Sequence, residues 1–99
     1  MKVHLFKSPR KEKKYRAIFY DDDGNEIKFS DFGAKGMSDY TKHKNIIRKD
    51  RYIDRHRKRE EKFWKTDPTA PATLSRYILW NKKTLRSSFI DFKKRFNLK

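Results

Sequence analysis

The spacing of apolar residues changes character about a third of the way along the chain. From Tyr15 to Tyr20 the run Tyr-Arg-Ala-Ile-Phe-Tyr is rich in aromatic and β-branched residues, and strict alternation places Tyr15, Ala17 and Phe19 on one face. Asp21 to Asn25 reads as a turn in which Gly24 can take positive φ, and Glu26 to Phe32 returns as a second strand with Ile27 and Phe29 two apart. Two such runs around a glycine-containing turn predict a β-hairpin over residues 15–32. Upstream, Lys2 to Phe6 reads as a short strand that ends at the breaker Ser8-Pro9, before the basic run Arg10 to Lys14.

Beyond the hairpin the period becomes helical. Gly33 to Tyr40 carries two glycines three apart, Gly33 and Gly36, followed by Ser38 or Asp39 as the cap of a short helical turn. A glycine pair beside a cap can hold phosphate, but this is neither a P-loop nor a dinucleotide fingerprint, and turn chemistry is the plainer reading. From about Asn45 to Trp64, Ile46, Ile53 and Phe63 share a stripe with Tyr52 and His56 beside them, while Arg48, Arg51, Arg55 and Lys58 populate other faces. Asp67-Pro68 ends this helix, because proline biases its predecessor away from helical geometry, and residues 66–71 form a turn. Thr73 to Trp80 then supplies Leu74, Tyr77, Ile78 and Trp80 as a compact apolar helix. Thr84 caps a last helix in which Leu85, Phe89, Phe92 and Phe96 recur at helical spacing, the clearest core signal of the chain.

These elements predict one α+β domain over residues 1–99, with a basic N-terminal segment (1–14), a hairpin (15–32) and a helical part (33–99). A small antiparallel sheet of two or three strands is followed by three helices that pack their aromatic stripes against it. The chain has 99 residues of which only 34% are hydrophobic, but eight phenylalanines, five tyrosines and two tryptophans bring large apolar areas to a modest core. Cysteine is absent, which removes disulfides and thiolate metal sites. No apolar run reaches bilayer-spanning length, and no apolar signal core opens the chain. A place in a cell interior or a virus particle is expected.

Charge narrows the partner more than it narrows the fold. Twenty-eight lysines and arginines face thirteen acids, for a net charge of +15. Segment by segment the balance is +6 over residues 1–20, −4 over 21–34, +7 over 35–65 and +6 over 66–99. One acidic turn therefore interrupts a basic molecule. Charge runs usually only solvate a face, but an excess this large on a short chain points to a polyanion.

The expected phosphate contacts are Arg48, Lys49, Arg51, Arg55, Lys58, Arg59 and Lys62 along one helix, with Lys42 and Lys44 at its entrance. Arginine adds bidentate phosphate geometry that lysine lacks. Tyr40, Tyr52 and Trp64 are candidates for stacking on bases, although aromatic residues at helical spacing more often belong to the core. Lys82, Lys83 and Arg86, with Lys93, Lys94 and Arg95, form a second basic group suited to a further stretch of nucleic acid. No zinc finger, RNA-recognition motif or helix-turn-helix spacing is present, so the expectation is sequence-tolerant binding of nucleic acid, double-stranded DNA first.

Two other classes rank below it. The bases can instead meet acidic coat proteins of a particle, with exposed aromatics as anchors. A metal-dependent nuclease built from Asp39, His43 and His56, with Asp54 as an orienting partner, is remote, because nothing in their spacing makes them converge. No cofactor and no catalytic residue is indicated, and a membrane-surface role lacks a free apolar helix face.

Three ordered blocks carry a resemblance: residues 32–44 (FGAKGMSDYTKHK), residues 51–56 (RYIDRH) and residues 74–82 (LSRYILWNK). Together they resemble a family of small basic proteins encoded by nucleocytoplasmic large DNA viruses of algae and amoebae, over about Tyr15 to Leu98. The resemblance implies a viral origin and a protein of the virion or viral factory. It supplies no catalytic or binding residue.

Overall fold

A computed structural model describes residues 1–99. Three strands, β1 (Lys2–Lys7), β2 (Lys13–Tyr20) and β3 (Glu26–Ala34), form an antiparallel meander in the order β1-β2-β3. The register pairs Val3 with Phe19, Leu5 with Ala17, Ala17 with Ser30 and Tyr15 with Phe32. Because side chains alternate across a strand, this sends Val3, Ala17, Phe19, Ser30 and Phe32 into the interior, where all are buried. The β2–β3 turn is closed by Asp21, whose carboxylate accepts the amides of Asp23 (3.0 Å) and Asn25 (2.8 Å), with Gly24 at φ 88°.

The expected strand pair is present, but its second strand buries other residues than Ile27 and Phe29, which are 55% and 48% exposed. Phe32 opposite Tyr15 fixes the parity, so Ser30 and Phe32 face in and Phe29 faces out. On that outer face Arg16 forms a bidentate pair with Asp31, both bonds at 2.9 Å, and its guanidinium lies 4.0 Å over the Phe29 ring. Ser8 adds a third bond to Asp31 (2.9 Å). The Arg16 guanidinium holds the Asp31 carboxyl below its usual range.

Four helices follow: α1 (Tyr40–His43), α2 (Ile46–Thr66), α3 (Pro71–Leu74) and α4 (Leu85–Arg95). The chain turns sharply between α1 and α2. Asp39 caps α1 by accepting the Thr41 amide, Lys44 takes a left-handed conformation at φ 55°, and Asn45 caps α2 by accepting the amides of Ile47 and Arg48. His43 Nδ1 accepts the Asn45 amide at 2.9 Å and so braces the corner. Asp39 also reaches back to the sheet, where Lys14 Nζ donates to it at 2.6 Å with both side chains largely buried.

The turn over 66–71 places Pro71 in the first turn of α3, where its missing N–H costs nothing. Helical geometry then widens over Ser75–Leu79, closed by a bond from the Trp80 amide to the Ser75 carbonyl (3.0 Å) five residues back. The wider turn brings Leu74, Ile78 and Leu79 onto one face, and all three are buried. That face meets the sheet so closely at Gly33 (φ 79°) that an added Cβ would stand 2.8 Å from Leu79 Cδ1. Thr84 caps α4 by accepting the Ser87 amide, and Phe92 completes a core of Val3, Ala17, Phe19, Phe32, Leu74, Ile78 and Leu79. Leu85, Phe89 and Phe96 border that core as expected. No helix is long and apolar enough to cross a membrane.

Phe92 is fully buried, its ring nearly parallel to Phe89 and tilted against Phe96, at centroid distances of 6.4 and 5.3 Å. Phe92→Ala is expected to cost about 3–5 kcal/mol by removing apolar contacts and leaving a cavity, and Phe89→Ala less, because that ring is only half-buried. Urea denaturation checks both, and equal losses would show that burial does not rank these two rings.

His43 generates a second prediction. Burial, and then Arg48, holds its imidazole below the ordinary value of 6.5, so folding favours the neutral ring whose Nδ1 accepts the Asn45 amide. In the unfolded chain the ring protonates near pH 6.5. The stability this gives is therefore complete above that pH and is lost as pH falls toward the lower folded value. Between about pH 7.5 and about pH 5, the native chain is expected to lose more stability than the His43→Gln variant. Parallel pH profiles of urea midpoints would remove His43 from the linkage.

Candidate nucleic-acid interface

Helix α2 is 21 residues long and so spans about 32 Å. Its attachment to the domain is narrow. Tyr52 stacks on Trp80 with ring centroids 4.2 Å apart and an interplanar angle of 4°, and His56 stacks on the other face of Tyr52 at 4.1 Å. Lys49 donates to the Asn81 carbonyl (2.7 Å), and Thr73 of α3 donates to the Phe63 carbonyl (2.8 Å). Trp64 is buried beside the Arg76 guanidinium. The face toward the domain therefore runs through Lys49, Tyr52, His56 and Trp64.

That face corrects several sequence expectations. Ile46 and Phe63, expected in the apolar stripe, are 54% and 38% exposed although in helical angle they lie on the docked side, Ile46 level with Trp64 and Phe63 between Tyr52 and His56. Tyr40, Tyr52 and Trp64 are buried and cannot stack on bases: Tyr40 lies under the Lys49 ammonium (4.9 Å), and the other two have their faces filled as described. Burial pushes the Tyr52 phenol far up. Lys49 is likewise drawn into the fold, and burial lowers its ammonium from the ordinary value.

Six of the other eight bases of α2 stay free of ion pairs. At 3.6 residues per turn, positions 48, 51, 55, 58, 59 and 62 fall within a sector of about 100°, and no other residue of 48–62 shares it. Every position in that sector is an arginine or lysine: Arg48, Arg51, Arg55, Lys58, Arg59 and Lys62. All six are exposed, and none enters an ion pair. The acids of the helix lie elsewhere, with Glu60 held by His56 (2.6 Å) and Glu61 held by Arg57 and Lys65. The stripe extends about 21 Å along the axis at 1.5 Å per residue.

Arg55 leads from this stripe into a cleft of about 350 Å³ between α2, the end of the sheet and the 75–80 segment, lined also by Lys13, Lys14, Ser38 and His56. Lys14, Met37 and Ser38 are shared with a second, more open cleft. Lys42 lines that second cleft and is thus separate from the α2 stripe, while Lys44 is exposed and donates to the Thr41 carbonyl. Lys7, Lys14 and Lys35, also in its lining, were not singled out from the sequence, because the β1–β2 pairing that assembles them leaves no local signature.

The second basic group is divided. Arg86 and Lys93 line an apolar groove with His4, Phe6 and Phe89, whereas Arg95 pairs with Asp91 and lies over Tyr77. Lys82, Lys83 and Lys94 are exposed outside that groove. Nor do the imagined metal ligands converge: Asp39 serves Lys14 and Thr41, His43 serves Asn45, and His56 serves Glu60, with no three histidines or acids gathered anywhere.

No curated protein and no solved structure matches the chain. One family model does, over residues 3–56, which span the sheet, the glycine loop, α1 and the first half of α2. That match covers more than half of the chain, and the protein belongs to the family of unknown function DUF5754.

Proposed function

We propose that the protein binds double-stranded nucleic acid, DNA first, without reading its sequence, by laying the basic flank of α2 along one phosphate strand. The observation that carries this reading is the uninterrupted set of six unpaired cations from Arg48 to Lys62. Each strand of duplex DNA presents one negative charge per about 3.4 Å of axis, so a stripe of about 21 Å meets several phosphates at once. Asp50, Asp54 and Glu61 on the other exposed flank argue against insertion into a groove, where they would face the opposite strand. Contact along one strand positions the protein but reads no base edges. The resemblance to small basic proteins of large DNA viruses suggests the setting, a viral genome that is condensed or packed.

A second reading rests on a different surface. The outer face of the sheet exposes Phe6 and Phe29, with Ile27 nearby, and such anchors suit an acidic coat protein. The absence of apolar side chains from the α2 sector favours nucleic acid for that helix.

Six contacts predict a slope of log K against log salt of about −5. The triple variant Arg51→Ala, Arg55→Ala, Lys58→Ala is expected to flatten that slope by about 3 and to weaken two unrelated duplexes equally. Fluorescence anisotropy across a salt series makes the measurement. The control Lys2→Ala, Lys11→Ala, Lys99→Ala removes the same charge from other exposed positions. Equal effects of the two triples would reduce the interaction to net charge and overturn the role of α2.

A further inference from the structure

We infer that the open cleft at the glycine loop is a separate binding site for an anion carrying consecutive phosphates, such as a triphosphate group. It holds about 570 Å³ and is lined by Lys7, Ser8, Lys14, Tyr15, Ser38 and Lys42, with Lys35, Gly36 and Met37 completing the loop side. Four lysines thus line one cavity, from the end of β1, the start of β2, the loop after β3, and α1. No carboxylate lines it. Asp39, behind it, neutralises Lys14 (2.6 Å), which leaves Lys7, Lys35 and Lys42 without ion pairs.

The backbone adds donors of its own. Lys35 donates to the Glu12 carbonyl and Met37 to the Ala34 carbonyl, but the amides of Gly36 and Ser38 between and after them have no acceptor in the chain. Gly36 sits at φ 90° with open space where a Cβ would stand, so a ligand can come up to the peptide itself. Buried polar groups normally find partners and exposed ones find water. Here Gly36, Ser38 and the three lysines without ion pairs line one cleft.

The spread of the lysines points to the ligand class. They come from four separate elements around one cleft, an arrangement that a chain of phosphates can bridge more fully than one orthophosphate. Tyr15 and Met37 are the apolar part of the wall and give room for whatever carries the phosphates. The inference does not depend on duplex binding by α2, because its lysines lie off that stripe. It follows from the β1–β2 pairing, in which Lys7 stands opposite Tyr15.

Isothermal titration with sodium tripolyphosphate at physiological salt tests the site on the full chain. One equivalent is expected to bind at least tenfold more tightly than orthophosphate. The Lys7→Ala, Lys35→Ala double variant is expected to weaken it at least tenfold, and the equal-charge Arg51→Ala, Lys58→Ala variant by less than threefold. Thermal melts of both variants check that they fold. Equal weakening by the two variants, or many weak equivalents, would mean that the tripolyphosphate only senses net charge, and would overturn the site. ATP and a 5′-triphosphorylated oligonucleotide, each against its unphosphorylated counterpart, identify the source: preference for either supports the site, and indifference to the triphosphate in both overturns it. Duplex binding of the Arg51→Ala, Lys58→Ala variant is read alongside, so failure of the α2 reading and failure of this site are separately visible.

Discussion

The stack of Tyr52 on Trp80 is the contact on which the use of α2 depends. The helix has few apolar side chains and a heavy excess of like charge, so it has little reason to join a core. Two rings 4.2 Å apart and nearly parallel bury a large area at one point, and His56 extends the stack on the far side. Lys49 and Phe63 then fasten the helix to the backbone and side chains of the 73–81 segment. With one face held by these contacts, rotation about the helix axis is lost, and the six bases are left pointing into solvent together. Loss of the stack would release the orientation of the stripe before it unfolded the sheet, whose core of Val3, Phe19, Phe32 and Phe92 lies elsewhere.

The acids show how the charge is sorted. Asp21 closes the hairpin turn, Asp31 holds Arg16, Asp39 caps α1 and binds Lys14, and Asp67 accepts the Thr69 amide. Asp91 joins Asn81 to Arg95, and Glu60 and Glu61 are held within α2. Most carboxylates thus serve turns, caps and crosslinks, while many bases have no internal partner. A chain built this way has a field set by its unpaired cations, which is the condition for steering a polyanion toward it.

Local chemistry was legible in the sequence where one signal sufficed. The turn at Asp21–Asn25, the caps Asp39 and Thr84, the stop at Asp67-Pro68 and the aromatic stripe of α4 all appear where their residue types place them. Parity in β3 was not legible, because Ile27 and Phe29 alternate as convincingly as Ser30 and Phe32, and only the pairing with Tyr15 and Ala17 decides between them. The docking residues of α2 were only partly legible. Ile46 and Phe63 lie on the docked side of the helix, but only Trp80, from a distant segment, selects Tyr52 as the ring that docks. The basic sector was available from the helical period, but the lysine cleft was not, since it needs β1 beside β2 and the glycine loop folded back over both.

The same separation bears on stability. Self-repulsion among unpaired cations works against a compact state, and here it is concentrated on one flank of α2 and around one cleft. An anion that binds either place relieves repulsion only in the folded chain, because unfolding disperses the bases. By linkage it must then raise stability, by about 2.7 kcal/mol when its concentration is a hundred times its dissociation constant. A core of eight buried residues is small for 99 residues, so an increment of that size is a substantial part of the total for a domain of this kind. The charge that makes the free protein costly to fold is thus the same charge that couples its folding to a polyanion.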